Sequence, residues 1–251
     1  MSEHDNTSTM FGFERVTAEA KTRRVREVFD SVADRYDIMN DLMSAGLHRL
    51  WKRYAVSLLD IRPGHQVLDL AGGTGDLSRL IARHRHEPRL VCCCDINARM
   101  LERGRDRTID AGIVRNLRFV LANGEVLPFS DRAFDRAIIG FGLRNVTDKA
   151  AALSELRRVL KPGGRLLVLE FSAFKPPLLA KFYERYSFSI LPRLGRWVAR
   201  DADSYRYLAE SIRVHPKQEA LAEMIRAAGF DSVRWHNLLG GVVAIHEART
   251  A

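Results

Sequence analysis

Val67-Leu68-Asp69-Leu70-Ala71-Gly72-Gly73-Thr74-Gly75-Asp76 joins an apolar run to a glycine-rich turn, and Leu77-Ser78-Arg79-Leu80-Ile81-Ala82 follows with helical spacing. Strand, tight turn and helix in that order open a nucleotide-binding α/β unit. Glycines such as Gly73 let the backbone bend sharply and approach a ligand that a Cβ would hold off. The same residues narrow the ligand. No Gly-Lys-Ser/Thr is present, which argues against an NTP-binding P-loop. The dinucleotide pattern Gly-x-Gly-x-x-Gly would need glycines where Ala71, Gly73 and Asp76 stand. Asp76 puts a carboxylate where the helix would approach a pyrophosphate. A ligand with a cationic centre and no phosphate fits better, and S-adenosylmethionine is that ligand.

Two further strand ends support this reading. Leu90-Val91-Cys92-Cys93-Cys94-Asp95 is apolar and ends in an acid. Its distance of about twenty residues from the loop suits a carboxylate that accepts from both ribose hydroxyls. Leu117-Arg118-Phe119-Val120-Leu121-Ala122 runs into Asn123-Gly124-Glu125-Val126-Leu127-Pro128-Phe129, where Asn123 can hold the adenine edge and Leu-Pro-Phe can wall it. Each segment alone reads equally as an ordinary strand cap. Three in order favour a cofactor site.

At 251 residues with 46% apolar content, the chain holds one α/β domain with appendages. No apolar run approaches the roughly 18 residues of a membrane span. The polar amino terminus lacks a signal-peptide pattern, so a cytoplasmic protein is expected. The three cysteines are consecutive, Cys92 to Cys94, and alternate between sheet faces, so they form neither a redox pair nor a metal site. The net charge of +9 invites an anionic partner, but the basic residues are mostly Arg and are scattered along the chain.

Residues 1–18 read as a flexible terminus and 19–251 as one domain. Residues 19–62 form a helical extension over the cleft, with one helix from Lys21 and another over 47–59. Phe134 to Ile139 is a fourth strand, and Gly140-Phe141-Gly142-Leu143-Arg144-Asn145 follows at its carboxyl end, where ligands of open α/β sheets sit. A helix over 150–160 stops at Lys161-Pro162-Gly163-Gly164, and a fifth strand spans 165–171. Residues 172–215 form an insertion rich in Arg and aromatics, which reads either as a membrane-surface element or, on base rates, as a lid. A helix over 218–228 and a hairpin near 231–237 and 241–246 complete the chain.

The chain resembles the ubiquinone/menaquinone biosynthesis C-methyltransferase family from about Phe11 to His246. The resemblance rests on Tyr36-Asp37-x-Met39-Asn40 with Ser44, His48 and Trp51, on the 68–76 loop, and on Phe141-Gly142-Leu143-Arg144-Asn145-Val146-Thr147. It rests also on Arg158-Val159-Leu160-Lys161-Pro162-Gly163-Gly164-Arg165, on residues 203–213 (Asp-Ser-Tyr-Arg-Tyr-Leu-Ala-Glu-Ser-Ile-Arg) and on His215-Pro216. It implies a class I S-adenosylmethionine-dependent methyltransferase: a Rossmann-like, seven-stranded sheet with one antiparallel strand. It also implies methyl transfer to a ring carbon of a prenylated quinol. Cofactor contacts carry over to Thr74, Asp95, Asn123, Gly124 and position 140. The family usually has Ala at 124 and often Ser at 140, so Gly140 can offer only backbone. Such a substrate lies in a bilayer, which brings in peripheral contact at the inner face of the membrane and leaves association with other quinone-biosynthesis enzymes open.

The chemistry can be argued beside the resemblance. Methyl transfer from a sulfonium is an in-line displacement governed by alignment. A quinol carbon becomes nucleophilic when a ring hydroxyl, of pKa about 10, is deprotonated. Arg144 can supply charge and Asn145 a hydrogen bond, while Asp76, His48 or His215 can accept the proton or serve only as caps and packing. A nucleic-acid methyltransferase lacks support. Gly140-Phe141-Gly142 is not Asn/Asp-Pro-Pro-aromatic, and no cysteine follows the fourth strand. No nucleic-acid partner is expected. A methyltransferase of another small aromatic acceptor and a non-catalytic protein retaining the fold are the remaining alternatives.

Overall fold

The computed structural model describes residues 8–33, 36–44, 46–113, 115–172 and 202–251. Strands β1 (Ser8–Phe11) and β2 (Glu14–Thr17) form a hairpin ahead of helices α1 (Ala18–Val32), α2 (Tyr36–Ser44) and α3 (His48–Leu58). The alternating unit follows as β3 (Gln66–Leu70), α4 (Asp76–Ala82), β4 (Leu90–Asp95), α5 (Ala98–Asp110) and β5 (Leu117–Leu121). Then come β6 (Phe134–Gly140), α6 (Lys149–Val159), β7 (Leu160–Phe171), α7 (Ala202–Val214), α8 (Gln218–Ala227), β8 (Ser232–Leu238) and β9 (Val243–Arg249). None of the helices searched is long and apolar enough to cross a membrane among the described residues.

The larger sheet has seven strands in the order β5-β4-β3-β6-β7-β9-β8. β9 runs antiparallel to both its neighbours, and the other pairs are parallel. The expected seven-stranded α/β architecture with one antiparallel strand is therefore present. The order reverses between β3 and β6, and the crevice at their carboxyl ends is the switch point where such sheets bind ligands.

Alternation along the strands separates two cores. Val67, Cys93, Ile138, Leu167 and Ile245 face α1 to α4. Leu68, Cys92, Cys94, Ile139 and Val168 face α6 and α8 through Leu153, Leu156, Leu221 and Ile225. All three cysteines are buried thiols on alternating faces.

Local chemistry sets the helix starts. Thr17 accepts from Ala20 N at 3.2 Å, Asn97 from Met100 N at 2.9 Å and Asp148 from Ala151 N at 3.0 Å, which satisfies amides that a helix leaves open.

Two boundaries differ from the sequence reading. Residues 8–17 are not part of a flexible terminus. They pair as a hairpin, with Phe11 stacked on Tyr207 of α7 at 4.1 Å between ring centroids and Phe13 N donating to Glu210 at 3.3 Å. The anchor is nearly two hundred residues away in sequence, so local polarity could not reveal it. The fifth strand of the sheet's parallel part, β7, starts at Leu160 rather than 165. Gly163 N donates to Thr250 O and Thr250 N to Gly164 O, both at 3.1 Å, so the chain's end extends the strand through the glycines. The insertion expected over 172–215 is helical over Ala202–Val214, and residues 173–201 lie outside the described residues.

Candidate active site

The cleft at the switch point opens onto about 790 Å³ of empty space, the solvent at its mouth included, at the carboxyl ends of the strands where open α/β sheets take ligands. Gly73 after β3, Asp95 at the end of β4, Asn123 and Gly124 after β5, and Phe141, Gly142, Asn145, Val146 and Thr147 after β6 contribute to its lining. Helix α1 closes one side with Thr22, Val25, Arg26 and Phe29.

Asp95 is the anchor of the cleft where the turns after β3 and β4 meet. Its Oδ2 accepts from Gly73 N at 2.8 Å and its Oδ1 from Asn97 N at 2.9 Å. Burial raises its pKa above the usual carboxylate value, and these amides, with that of Ile96, oppose the rise. The carboxylate is thereby fixed in direction while its remaining lone pairs are available to hydroxyl donors. Gly73 has φ +54°, and a Cβ there would meet Met100 Cε at 3.2 Å. Asn97 also donates to Asp30 of α1 at 2.9 Å, so the cap of α5 ties the lid helix to this part of the cleft.

The turns after β3 and β6 press against each other. Ala71 and Phe141 both take left-handed backbone, at φ 53° and 58°, which is uncommon for a residue with a Cβ and is found preferentially at functional sites. A Cβ on Gly142 would stand 2.5 Å from Ala71 Cβ, so only glycine fits this contact. Phe141 belongs to an aromatic group with Phe171, at 4.8 Å, and Trp51, at 6.3 Å.

Gly73, Asp95, Asn123, Gly124 and Asn145 are brought together around the cleft, whereas Thr74, Gly140, Asp76 and Arg144 are not among its lining residues. Thr74 is buried, and its Oγ1 has no hydrogen-bond partner among the described residues. Gly140 ends β6, and a Cβ there would strike Leu77 Cδ1 at 2.4 Å. The Ser common in the family would not fit here without a shift of that leucine.

Asp76 begins α4 and is already paired. Its Oδ2 accepts from Lys52 Nζ at 2.9 Å and its Oδ1 from Arg79 Nη2 at 2.6 Å. Burial would raise its pKa, but Lys52 and then Arg79 outweigh that and hold the carboxyl below its usual range. A carboxylate so held is a weak base. It also occupies the helix start where a phosphate would otherwise sit.

Arg144 is likewise held. Its Nη1 donates to Glu170 Oε2 at 2.9 Å and its backbone N to Glu170 Oε1 at 3.2 Å, so a buried ion pair staples the 143–145 turn to β7. Its charge is matched by that partner. Asn145, beside it, lines the cleft, and Tyr207 of α7 donates to its Oδ1 at 3.1 Å.

His48 is buried with Nε2 2.9 Å from Asp41 Oδ1, and burial, then Lys52, lowers its pKa. His215 is buried with neither ring nitrogen partnered among the described residues, and burial brings it down to about 4. Both are therefore uncharged at neutral pH.

The sequence placed the helical extension over the cleft, but it named as site residues neither the α1 residues that line it, Thr22, Val25, Arg26 and Phe29, nor Gly142. The Phe141–Thr147 motif signalled the second. Which α1 residues face the cleft is set by tertiary contacts. Lys21 Nζ donates to Val146 O at 3.0 Å and Thr22 Oγ1 lies 2.9 Å from Thr147 Oγ1.

The donor set fits S-adenosylmethionine. Asp95 and Glu125 give the cleft two carboxylates against one cation, Arg26, and the α4 start already holds Asp76. That pattern suits a ligand with a positive centre and no phosphate.

The model of the ubiE/COQ5 methyltransferase family matches residues 17–250. The ubiquinone/menaquinone biosynthesis C-methyltransferase UbiE of Cellvibrio japonicus (strain Ueda107) is 56% identical over 243 residues, covering 97% of this chain and 98% of its own. The enzyme of that name from Ectopseudomonas mendocina (strain ymp) is 55% identical, covering 98% and 96%. Among solved structures, the [4+2]-cyclase SpnF superposes with a TM-score of 0.68 at 17% identity, covering 91% and 95%. A possible histamine N-methyltransferase from Thermotoga maritima superposes at 0.61 with 20% identity, covering 90% and 99%. At such identities the structures share the fold alone.

Proposed function

The chain belongs to the ubiE/COQ5 methyltransferase family, and we propose that it methylates a ring carbon of a prenylated quinol, a demethylmenaquinol, a methoxy-polyprenyl-benzoquinol or both. It is an S-adenosylmethionine-dependent methyltransferase. The observation that carries the substrate reading is the 56% identity to a curated quinone-biosynthesis C-methyltransferase across nearly all of both chains.

When bound, the cofactor supplies a methyl group made electrophilic by its sulfonium. Asp95 would receive the ribose hydroxyls, Asn123 and Gly124 the adenine edge, and Gly73 the close approach of backbone. The Thr74 carbonyl accepts from Arg79 Nη1 at 2.6 Å, which ties the loop to α4, and Gly140 contributes backbone only. The quinol must reach the methyl as its phenolate, whose electron pair makes the ring carbon nucleophilic. The proton on that carbon is lost afterwards to restore aromaticity. Asn145 donates a hydrogen bond to the phenolate oxygen. Arg144, locked to Glu170, fixes the turn that presents Asn145. Asp76 stays ionised between Lys52 and Arg79 and holds the start of α4 in place.

The isoprenoid tail stays in the bilayer, so the enzyme works at the inner membrane face. Association with other quinone-biosynthesis enzymes would pass the tail along that surface. Helix α3 supports the placement with Leu50 and Tyr54, 58% and 42% exposed, beside exposed Arg49 and Arg53. The 172–215 segment, with Arg196 and Trp197, is the second proposed contact, though these two residues lie outside the described residues. Vesicle binding should fall in the Trp197→Ala, Arg196→Glu double variant. Unchanged binding would remove this segment from the contact.

Incubation of the purified protein with methyl-labelled cofactor and each reduced acceptor tests the substrate reading. Label in either quinol is expected, and the ratio of rates identifies the preferred ring. Cofactor binding with no label in either acceptor would overturn it.

A further inference from the structure

We propose that Tyr207 is a positioning residue, whose hydroxyl holds the Asn145 carboxamide with its amino end turned into the cleft toward the acceptor's oxygen. The proposal rests on the quinol reading above for the identity of that oxygen. It does not rest on that reading for the geometry.

Asn145 lies in a single helical turn, Leu143–Asn145, directly after β6, and lines the cleft. A carboxamide has two chemically distinct ends, and their exchange by rotation would replace a donor with an acceptor. A phenol could meet either end, and in the observed arrangement Tyr207 meets the carbonyl end. Its OH donates to Asn145 Oδ1 at 3.1 Å, and Nδ2 has no partner among the described residues. The phenol is buried, and that burial pushes its pKa upward, so it remains a hydroxyl donor throughout the working range. An Asn held this way offers N–H to the cleft. Those groups suit a phenolate oxygen and repel a cation.

Both partners are immobilised from behind. Tyr207 stacks on Phe11 of the amino-terminal hairpin with an interplanar angle of 16°, and the Arg24 guanidinium lies 4.1 Å over the far ring. The turn carrying Asn145 is fastened by Glu170 to Arg144 and by Lys21 to Val146 O. The hairpin, α1 and α7 thus converge on one amide. This gives the Tyr-Arg-Tyr segment of α7 a definite task in handling the acceptor.

The test uses the full chain and four proteins: wild type, Tyr207→Phe, Asn145→Ala and the double variant. Methyl transfer and cofactor affinity are measured in each across pH. Tyr207→Phe should lower kcat/KM for the quinol about 10-fold and move the acidic limb of kcat to higher pH, because a wandering amide no longer favours the phenolate. Cofactor affinity should stay within 2-fold. Adding Tyr207→Phe to Asn145→Ala should cost nothing further, since the effect passes through the amide.

An undiminished cost of Tyr207→Phe in the Asn145→Ala background would overturn the proposal, as would a parallel loss of cofactor affinity. Wild-type activity separates the two readings. An inactive wild type defeats the quinol reading, while an active wild type with a normal Tyr207→Phe variant defeats this one. The side-chain amide resonances of Asn145, assigned by their loss in Asn145→Ala, give a readout needing no acceptor. They should broaden or shift in Tyr207→Phe, and unchanged signals would also overturn the proposal.

Discussion

The two walls of the cleft are built over different distances along the chain. On the cofactor side, the Gly73–Asp95 bond joins residues 22 apart, and Asn97 and Asp95 are two apart. On the acceptor side, Tyr207 reaches Asn145 over 62 residues, and Lys21 and Thr22 reach Val146 and Thr147 over 125. The Gly73–Asp95 frame of the first wall is a property of a single βαβ unit, to which the turn after β5 and the Asn97–Asp30 bond are added. The other exists only once the hairpin, α1 and α7 have docked. The difference implies that the walls can be damaged separately: local changes should remove cofactor binding, and distant ones should alter the acceptor while sparing the cofactor.

The largest effect should come from Asp95→Ala. It removes an ionised acceptor whose hydrogen bonds are worth about 1.5–3 kcal/mol each, so calorimetry should show cofactor affinity falling on the order of 100-fold. A loss confined to the acceptor KM would erase the division between walls.

Gly142→Ala tests the contact where the two walls meet. The added methyl would stand 2.5 Å from Ala71 Cβ, and such overpacking costs about 1–3 kcal/mol. Thermal melting should shift down by about 2–10 °C, with both cofactor and acceptor binding weakened. It is the one substitution expected to injure both sides.

Asp76→Asn probes the charge at the start of α4. The folded pKa of Asp76 is depressed below its unfolded value. Its stabilisation is therefore complete above the ordinary carboxylate pKa and is lost as pH falls through the folded value. The wild type should lose stability relative to Asp76→Asn in acid and gain it near neutrality, as followed by denaturant melts at several pH values.

The smallest effect belongs to the latch of α1. Lys21 and Lys149 both donate to Val146 O, at 3.0 and 3.3 Å. Burial, then the Lys149 charge, brings Lys21 down to about 7 from its ordinary 10.5. The unfolded chain thus binds one more proton between those values, so this group's destabilising contribution is full below pH 7 and fades as pH rises toward 10.5. Lys21→Met should raise the melting temperature by a few degrees at pH 7 and flatten that rise. Amide exchange of α1 at pH 7 and 9 would show it.

The legibility of the molecule in its sequence follows the same division. The glycine loop, the acid after β4 and Asn123 after β5 were readable because each follows its strand within a few residues, where turn chemistry and spacing speak locally. That one strand of seven runs antiparallel came from family resemblance, and its place between β7 and β8 did not. The ordered hairpin over 8–17 was hidden because its stability derives from Tyr207 and Glu210. The early start of β7 was hidden because Thr250 completes it. Arg144 could be recognised as a residue at a strand end, but its partner Glu170 could not be. A buried ion pair leaves no mark on local composition, and it changes the role of the arginine from a free charge to a fastening. Asn145 was legible by place. Which end of its amide enters the cleft was not.

The position of the transferred methyl is the measurement on which the functional reading stands. The protein would be supplied with cofactor carrying a carbon-13 methyl and with the reduced quinol it turns over, and the product examined by NMR. A methyl resonance coupled only within the ring, as for a group on carbon, is the expected result. A methyl on oxygen would contradict ring-carbon transfer, and with it the role given to Asn145 in holding that oxygen as a phenolate.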